Sequence, residues 1–240
     1  MERDGKAIEP IERHRIVCPI WSCFQPGASD AGACKGGSLG NCPGFELVFR
    51  WATDYIRIIM TALSFLADID SVAPTPILVA PQPVLRAVAR EVTPDDMALV
   101  KSHLPGMFSA MYKAPGIGLA APQIGLGLRF ALVDVADEGE RNPMVLINPE
   151  IIEESEQLAA REEGCLSLPN QYAEVIRPLS VRMRYRTIEG TVEEMEADDL
   201  LATCLQHEID HLDGILFVDH LSKLKRNMIM RRLAKEQKGR

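Results

Sequence analysis

The chain has 240 residues, 47% of them apolar, and a formal net charge of -8, with a pI of about 5.2. That length supplies one full domain with an appendage, or two small domains, and the apolar share is enough for a packed core. The acidic balance, without a basic stripe interleaved with aromatics, excludes the electrostatic footprint of a nucleic-acid binder. The longest apolar stretch, around Ile56 to Leu66, is too short for a membrane span and follows Arg50, Asp54 and Arg57.

Residues 1–71 read as an N-terminal extension, disordered or partly helical. Gln25 to Gly44 is rich in Gly, Ser, Ala, Cys and Pro and lacks periodicity, whereas Phe45 to Leu66 has the apolar content of a helix. The extension carries nine acids against seven bases, a poor match to a transit peptide, and its charged start lacks the apolar core of a signal peptide. Residues 1–59 are expected to be dispensable, with Met60 as an alternative start. Cys18, Cys23, Cys34 and Cys42 lie here at spacings that do not make a common zinc site. Without a signal peptide, the thiols are expected to stay reduced in a cytosolic setting.

Residues 72–240 read as the main folded domain. Ala73 to Ile77 and Ala80 to Pro83 form an extended, proline-stiffened lead-in, because each proline also restrains the residue before it. Thr93 as N-cap, Pro94 at the first helical position and Asp96 as a capping acid then start a helix. Met97, Val100, Leu104, Met107, Phe108 and Met111 recur at helical spacing as its core face. Pro105-Gly106 is expected to interrupt it by a kink or a tightened turn.

The stretch from Gly116 to Gln123 is a glycine-rich loop that follows a helix instead of opening one, so it is not a phosphate cradle. Its small residues let backbone approach a ligand closely. Arg129 to Val135, Met144 to Asn148, Tyr172 to Ile176, Ser180 to Thr187 and Thr191 to Glu196 read as strands, antiparallel because their connections are short. Ile188-Glu189-Gly190 is expected to be a hairpin turn, and Asp137 to Asn142 a solvated charged loop. A short strand is expected over Ile215 to Val218 and a basic amphipathic helix over Leu221 to Gln237, its charges solvated.

Between them Leu200 to Leu212 reads as a helix, with His207 and His211 four apart on one face and able to bind one metal ion. Leu200, Leu201, Leu205, Ile209 and Leu212 argue that much of this helix is buried, so a mere surface decoration by the two imidazoles is the weaker reading. Glu208 sits beside the metal as a proton acceptor, the arrangement of metal-assisted hydrolysis. A third ligand is needed. Cys165, which alone would read as a small buried hydrophobe, is the best candidate in the main domain. Cys204, one turn before His207, should line the pocket.

Gly116 to Gln123, Glu163-Gly164-Cys165-Leu166-Ser167 and Gln206 to His211 together resemble the three motifs of peptide deformylase, in the family's order and over roughly residues 72–230. The resemblance implies an α+β domain with antiparallel β-sheets packed around a central metal-binding helix, followed by a C-terminal helix. It implies that Cys165, His207 and His211 hold one divalent ion, natively iron(II), with zinc, nickel or cobalt accepted. Glu208 becomes the general base and acid, and the Gln123 amide and the Leu166 backbone N–H meet the oxyanion. Gly118 pairs with the substrate main chain, and Ile117, Leu200, Cys204 and His207 surround the methionine side chain. Arg161 stands where relatives carry an apolar pocket-rim residue, and Glu163 with Arg177 matches a pair that buttresses the ligand loop.

The implied substrates are N-formylmethionyl nascent peptides at the ribosome exit, with no nucleic acid and no membrane as partners. Bacterial cytoplasm is the default compartment, with an organelle as the alternative. Two competing readings are a zinc endopeptidase, whose only later histidine is His220, and a non-catalytic relative kept as a binding module. The latter would be expected to lose Glu208, Gln123 or a ligand, and none is lost.

Overall fold

The computed structural model describes residues 66, 69–135 and 141–238, all within one unit, Tyr55–Arg240. The loop expected over Gln25 to Gly44, the four early cysteines, Met60, nearly all of the helix expected over Phe45 to Leu66 and most of the charged loop after Val135 lie outside the described residues. In chain order the regular elements are helix α1 (Met97–Lys113), strands β1 (Gly118–Ala120), β2 (Phe130–Val133), β3 (Met144–Glu154), β4 (Leu158–Cys165), β5 (Leu168–Pro178), β6 (Ser180–Arg186) and β7 (Val192–Asp198), and helices α2 (Asp199–Leu212) and α3 (Lys223–Lys238).

Five strands form one antiparallel sheet in the order β1-β2-β3-β6-β7, and β4 and β5 form a second, two-stranded one. The large sheet is buried on both faces at β1, β2 and the start of β3, whose strands carry apolar side chains on both, while β6 and β7 alternate apolar residues with exposed charged ones. Leu119, Phe130, Leu132 and Ile147 pack with Val100, Leu104, Met107, Phe108 and Met111 of α1. Val133, Leu146, Val181 and Met183 pack on the other side with Ala202, Cys204, Leu205 and Ile209 of α2. The motif helix is therefore central, between the large sheet and the small one. A third cluster, Leu168 and Val175 of β5 with Phe217 and Leu233, ties the small sheet to the C-terminal helix.

Two sequence expectations change, and one unassigned segment gains a strand. Helix α1 runs unbroken through Pro105: packing of its fully buried face outweighs one lost backbone donor. Gly106 is needed there for contact, since a Cβ would lie 2.4 Å from Thr75 Oγ1, and its carbonyl accepts the Thr75 N–H at 3.0 Å. The strand expected over Ile215 to Val218 is instead a 3-10 turn, Phe217–His220, with Leu216, Phe217 and Val218 all buried and so without a strand's alternation. The segment before Cys165, unassigned from sequence, is β4.

The hairpin turn at Gly190 is present, with φ +94 and Thr187 N–H donating to Thr191 O at 2.7 Å. The proline-stiffened lead-in acts as a strap. Leu78 N–H donates to the Gln123 backbone carbonyl at 2.7 Å and Ala80 N–H to the Ser167 carbonyl at 2.9 Å, which anchors two of the three motifs to one proline-stiffened segment.

Candidate metal centre

Helix α2 carries Leu200, Cys204, His207 and His211 along one face, as the i, i+4 and i+3 spacings require. It ends at Gly214, whose φ of +74 suits the chain reversal and where a Cβ would lie 2.7 Å from the Arg86 carbonyl oxygen. The imidazoles of His207 and His211 stand with centroids 5.0 Å apart at 76°. From the end of β4, Cys165 comes to meet them: its Sγ is 3.2 Å from His211 Nε2. The ligand atoms of Cys165, His207 and His211 all lie within 4.8 Å of one another.

The donor set fits a divalent transition metal: one thiolate and two imidazoles, with no fourth protein ligand among the described residues. His207 is prepared for this role, because its Nδ1–H donates to Glu163 Oε2 at 2.8 Å, which leaves the Nε2 lone pair for a metal. Burial alone would depress the His207 pKa, but its hydrogen bonds with Cys165 and Glu163 raise it well above its ordinary value. His211, lowered well below its ordinary value by burial and then by His207 and Arg177, stays neutral.

Behind the ligands runs a chain of charges. Arg177 Nε donates to Glu163 Oε1 at 2.6 Å, Arg177 Nη1 lies 2.8 Å from Asp210 Oδ2, and Asp210 in turn is 2.7 Å from His220 Nε2. Burial would raise the Glu163 carboxyl, yet the hydrogen bonds from His207 and Arg177 pull it down to about 2. The Glu163–Arg177 pair expected from sequence is present. Its continuation through Asp210 to His220 was not anticipated, although Asp210 lies only three residues after His207. His220 therefore serves as Asp210's partner, which removes the histidine that the endopeptidase reading required.

Glu208 is buried, with Oε2 lacking any hydrogen-bond partner, and burial pushes its carboxyl up to about 7. Gly118 makes this position available: a Cβ there would stand 2.3 Å from Glu208 Oε1 and 3.0 Å from Cys204 Sγ. Cys204, whose pKa is raised well above the ordinary value chiefly by burial, remains a thiol and donates to the Ile117 carbonyl at 3.5 Å. Gln123 is fixed by the Ala120 N–H on its Oε1 at 2.8 Å, so that its Nε2 points to Ser167 Oγ at 3.2 Å and Cys165 Sγ at 3.7 Å. Ser167 as an acceptor for this amide was missed, since a buried serine leaves no signal in the sequence.

A cavity of about 540 Å³ opens onto this cluster, and Ile117, Gly118, Gln123, Leu166, Leu200 and Cys204 are all among its walls. Arg161 is not. It forms an ion pair with Asp199 just outside the wall.

The family model for polypeptide deformylase matches residues 74–227. The chain is 53% identical over 161 residues to a peptide deformylase of Mesorhizobium japonicum, covering 67% of this chain and 91% of that one. It is 50% identical to one of Brucella suis with the same coverage. Among solved structures, a peptide deformylase from Legionella pneumophila superposes with a TM-score of 0.64 at 43% identity, over 69% of this chain and 96% of that one. One from Synechococcus elongatus in complex with actinonin gives 0.62 at 39%, over 67% and 88%.

Proposed function

The chain belongs to the polypeptide deformylase family, hydrolases that remove the N-formyl group from nascent peptides, and from that premise we propose how its residues divide the work. The observation that carries the reading is a buried Glu208 held against Gly118 beside the Cys165, His207 and His211 triplet. Those three side chains would hold one divalent ion per chain, iron(II) in the cell, with zinc, nickel or cobalt as substitutes. Such an ion makes water a nucleophile at neutral pH, lowering its pKa from ~15.7 to about 7.

Glu208 takes a proton from the attacking water and holds it. A carboxyl pushed up to about 7 is suited both to accept that proton and to return it near neutral pH. The water oxygen bonds to the formyl carbon, the C–N bond breaks, and Glu208 delivers its proton to the leaving amine, giving formate and a free amino terminus. Gln123 Nε2–H and the Leu166 backbone N–H donate to the oxygen that gains charge, each worth ~3 kcal/mol of barrier. Gly118 backbone groups pair with the peptide main chain, and the methionine side chain lies by Ile117, Leu200, Cys204 and the His207 ring.

Residues 72–240 are the proposed catalytic domain, acting at the ribosome exit in a bacterial cytoplasm or, alternatively, in an organelle. No helix among the described residues is long and apolar enough to cross a membrane. The test is to strip the protein of metal and reload it without oxygen, with iron(II), zinc, nickel or cobalt in turn. Formate release from a short N-formylmethionyl peptide should vanish and return, and undiminished release by the stripped protein would overturn the reading.

A further inference from the structure

The two-stranded sheet has two unlike faces. Its inner face carries Glu163, Val175 and Arg177, all buried. The register sets Gly164 opposite Tyr172, Glu162 opposite Glu174, Ala160 opposite Ile176 and Leu158 opposite Pro178, and strand alternation puts these pairs on the outer face. There Tyr172, Ile176 and Leu158 are 64%, 63% and 64% exposed. Apolar side chains scattered singly over a surface are ordinary; three on one face of one hairpin form a patch.

This patch is continuous with the catalytic groove. The Tyr172 ring lies on Gly164, where a Cβ would come within 2.6 Å of a ring carbon, and Glu162, Gly164 and Tyr172 all line the cavity. From Tyr172 the strip leaves the groove along the strands toward Ile176 and Leu158. Between its apolar members sit Glu162 and Glu174, like charges directly across the ladder, a destabilising arrangement. Neither has a basic partner among the described residues.

We infer that the outer face of β4 and β5 is a track for the part of the nascent chain that follows the formylated methionine. Apolar side chains of the passenger settle on Tyr172, Ile176 and Leu158, and a basic one between them meets Glu162 and Glu174. This rests on the deformylase reading. The four-residue step from Tyr172 to Ile176 spans about 13 Å of strand, so a tripeptide ends before the track and an extended peptide of about eight residues runs along it.

The experiment uses the full, metal-loaded chain and compares kcat/KM for a formylmethionyl tripeptide and a formylmethionyl octapeptide with leucines and one lysine beyond its third residue. The parent should favour the octapeptide by about tenfold, mainly through KM, the scale of partly burying two aliphatic side chains. A Leu158→Ser, Ile176→Ser double variant should bring the ratio of the two values toward one, and glutamate in place of the peptide's lysine should raise KM. An unchanged ratio in the double variant overturns the track. So does a parent that sediments as a dimer which the variant dissociates, because a second copy then holds this face. If the tripeptide itself is not hydrolysed, the deformylase reading fails and the track with it.

Discussion

A Gly118→Ala substitution should separate folding from turnover. The added Cβ would lie 2.3 Å from Glu208 Oε1, whereas ordinary contact begins at 3.4 Å, so the carboxylate has to retreat by roughly 1 Å. The displaced atom is the far end of a flexible side chain, and the cost in stability stays near 1–2 kcal/mol, at the low end for overpacking. Turnover is less forgiving: a misplacement of about 1 Å in a reacting group can cost on the order of 100-fold. The backbone N–H and C=O of residue 118 survive the change, so KM for a formylmethionyl peptide should move by less than about threefold while kcat falls. Steady-state formate release, a thermal melt and a metal count on the same preparation read all three quantities. A kcat within about threefold of the parent, with fold and metal intact, would refute the claim that Glu208 must sit where Gly118 admits it.

Glu163→Gln removes the carboxylate behind His207 and leaves Arg177 short of a partner, so metal affinity measured by competitive chelation should weaken ~10-fold to 100-fold; unchanged affinity would make the pair incidental. The same substitution has a pH signature in metal-free protein. The Glu163 carboxyl is held at about 2 against an ordinary 4.5, so its contribution to stability is complete above 4.5 and is lost as the pH falls toward 2. Glu163→Gln should flatten the unfolding free energy against pH in that window, and a parallel curve would contradict the assignment. Phe108 is fully buried between α1 and the large sheet, and Phe108→Ala should cost ~3–5 kcal/mol in urea unfolding.

The metal-binding helix was legible because its period and its chemistry coincide: one helical face holds Leu200, Cys204, His207 and His211. Cys165 was not legible from its own surroundings, since a lone cysteine reads as a small hydrophobe, and it became a candidate only because the histidine pair needs a third ligand. Strand β4 escaped because Arg161-Glu162-Glu163 has poor strand propensity. It forms by pairing with β5, with Glu162 outward and Glu163 inward onto Arg177, a partner fourteen residues away, and tertiary pairing outweighs local preference. Leu216-Phe217-Val218 shows the converse limit: a short apolar run buried on all sides does not reveal whether it is strand or turn. Pro105 was overweighted because the sequence shows the lost donor but not the packing around it.

The most direct test of the account compares formate release from a short N-formylmethionyl peptide by the metal-loaded parent and a Glu208→Ala variant prepared identically, with metal counted in both. The account predicts one ion per chain in each and a loss of turnover in the variant of ~10²-fold to 10⁴-fold, the scale of proton transfer by a positioned carboxylate. Equal rates from the two proteins would contradict the role of Glu208, and metal-loaded protein that releases no formate in either form would contradict the reaction itself.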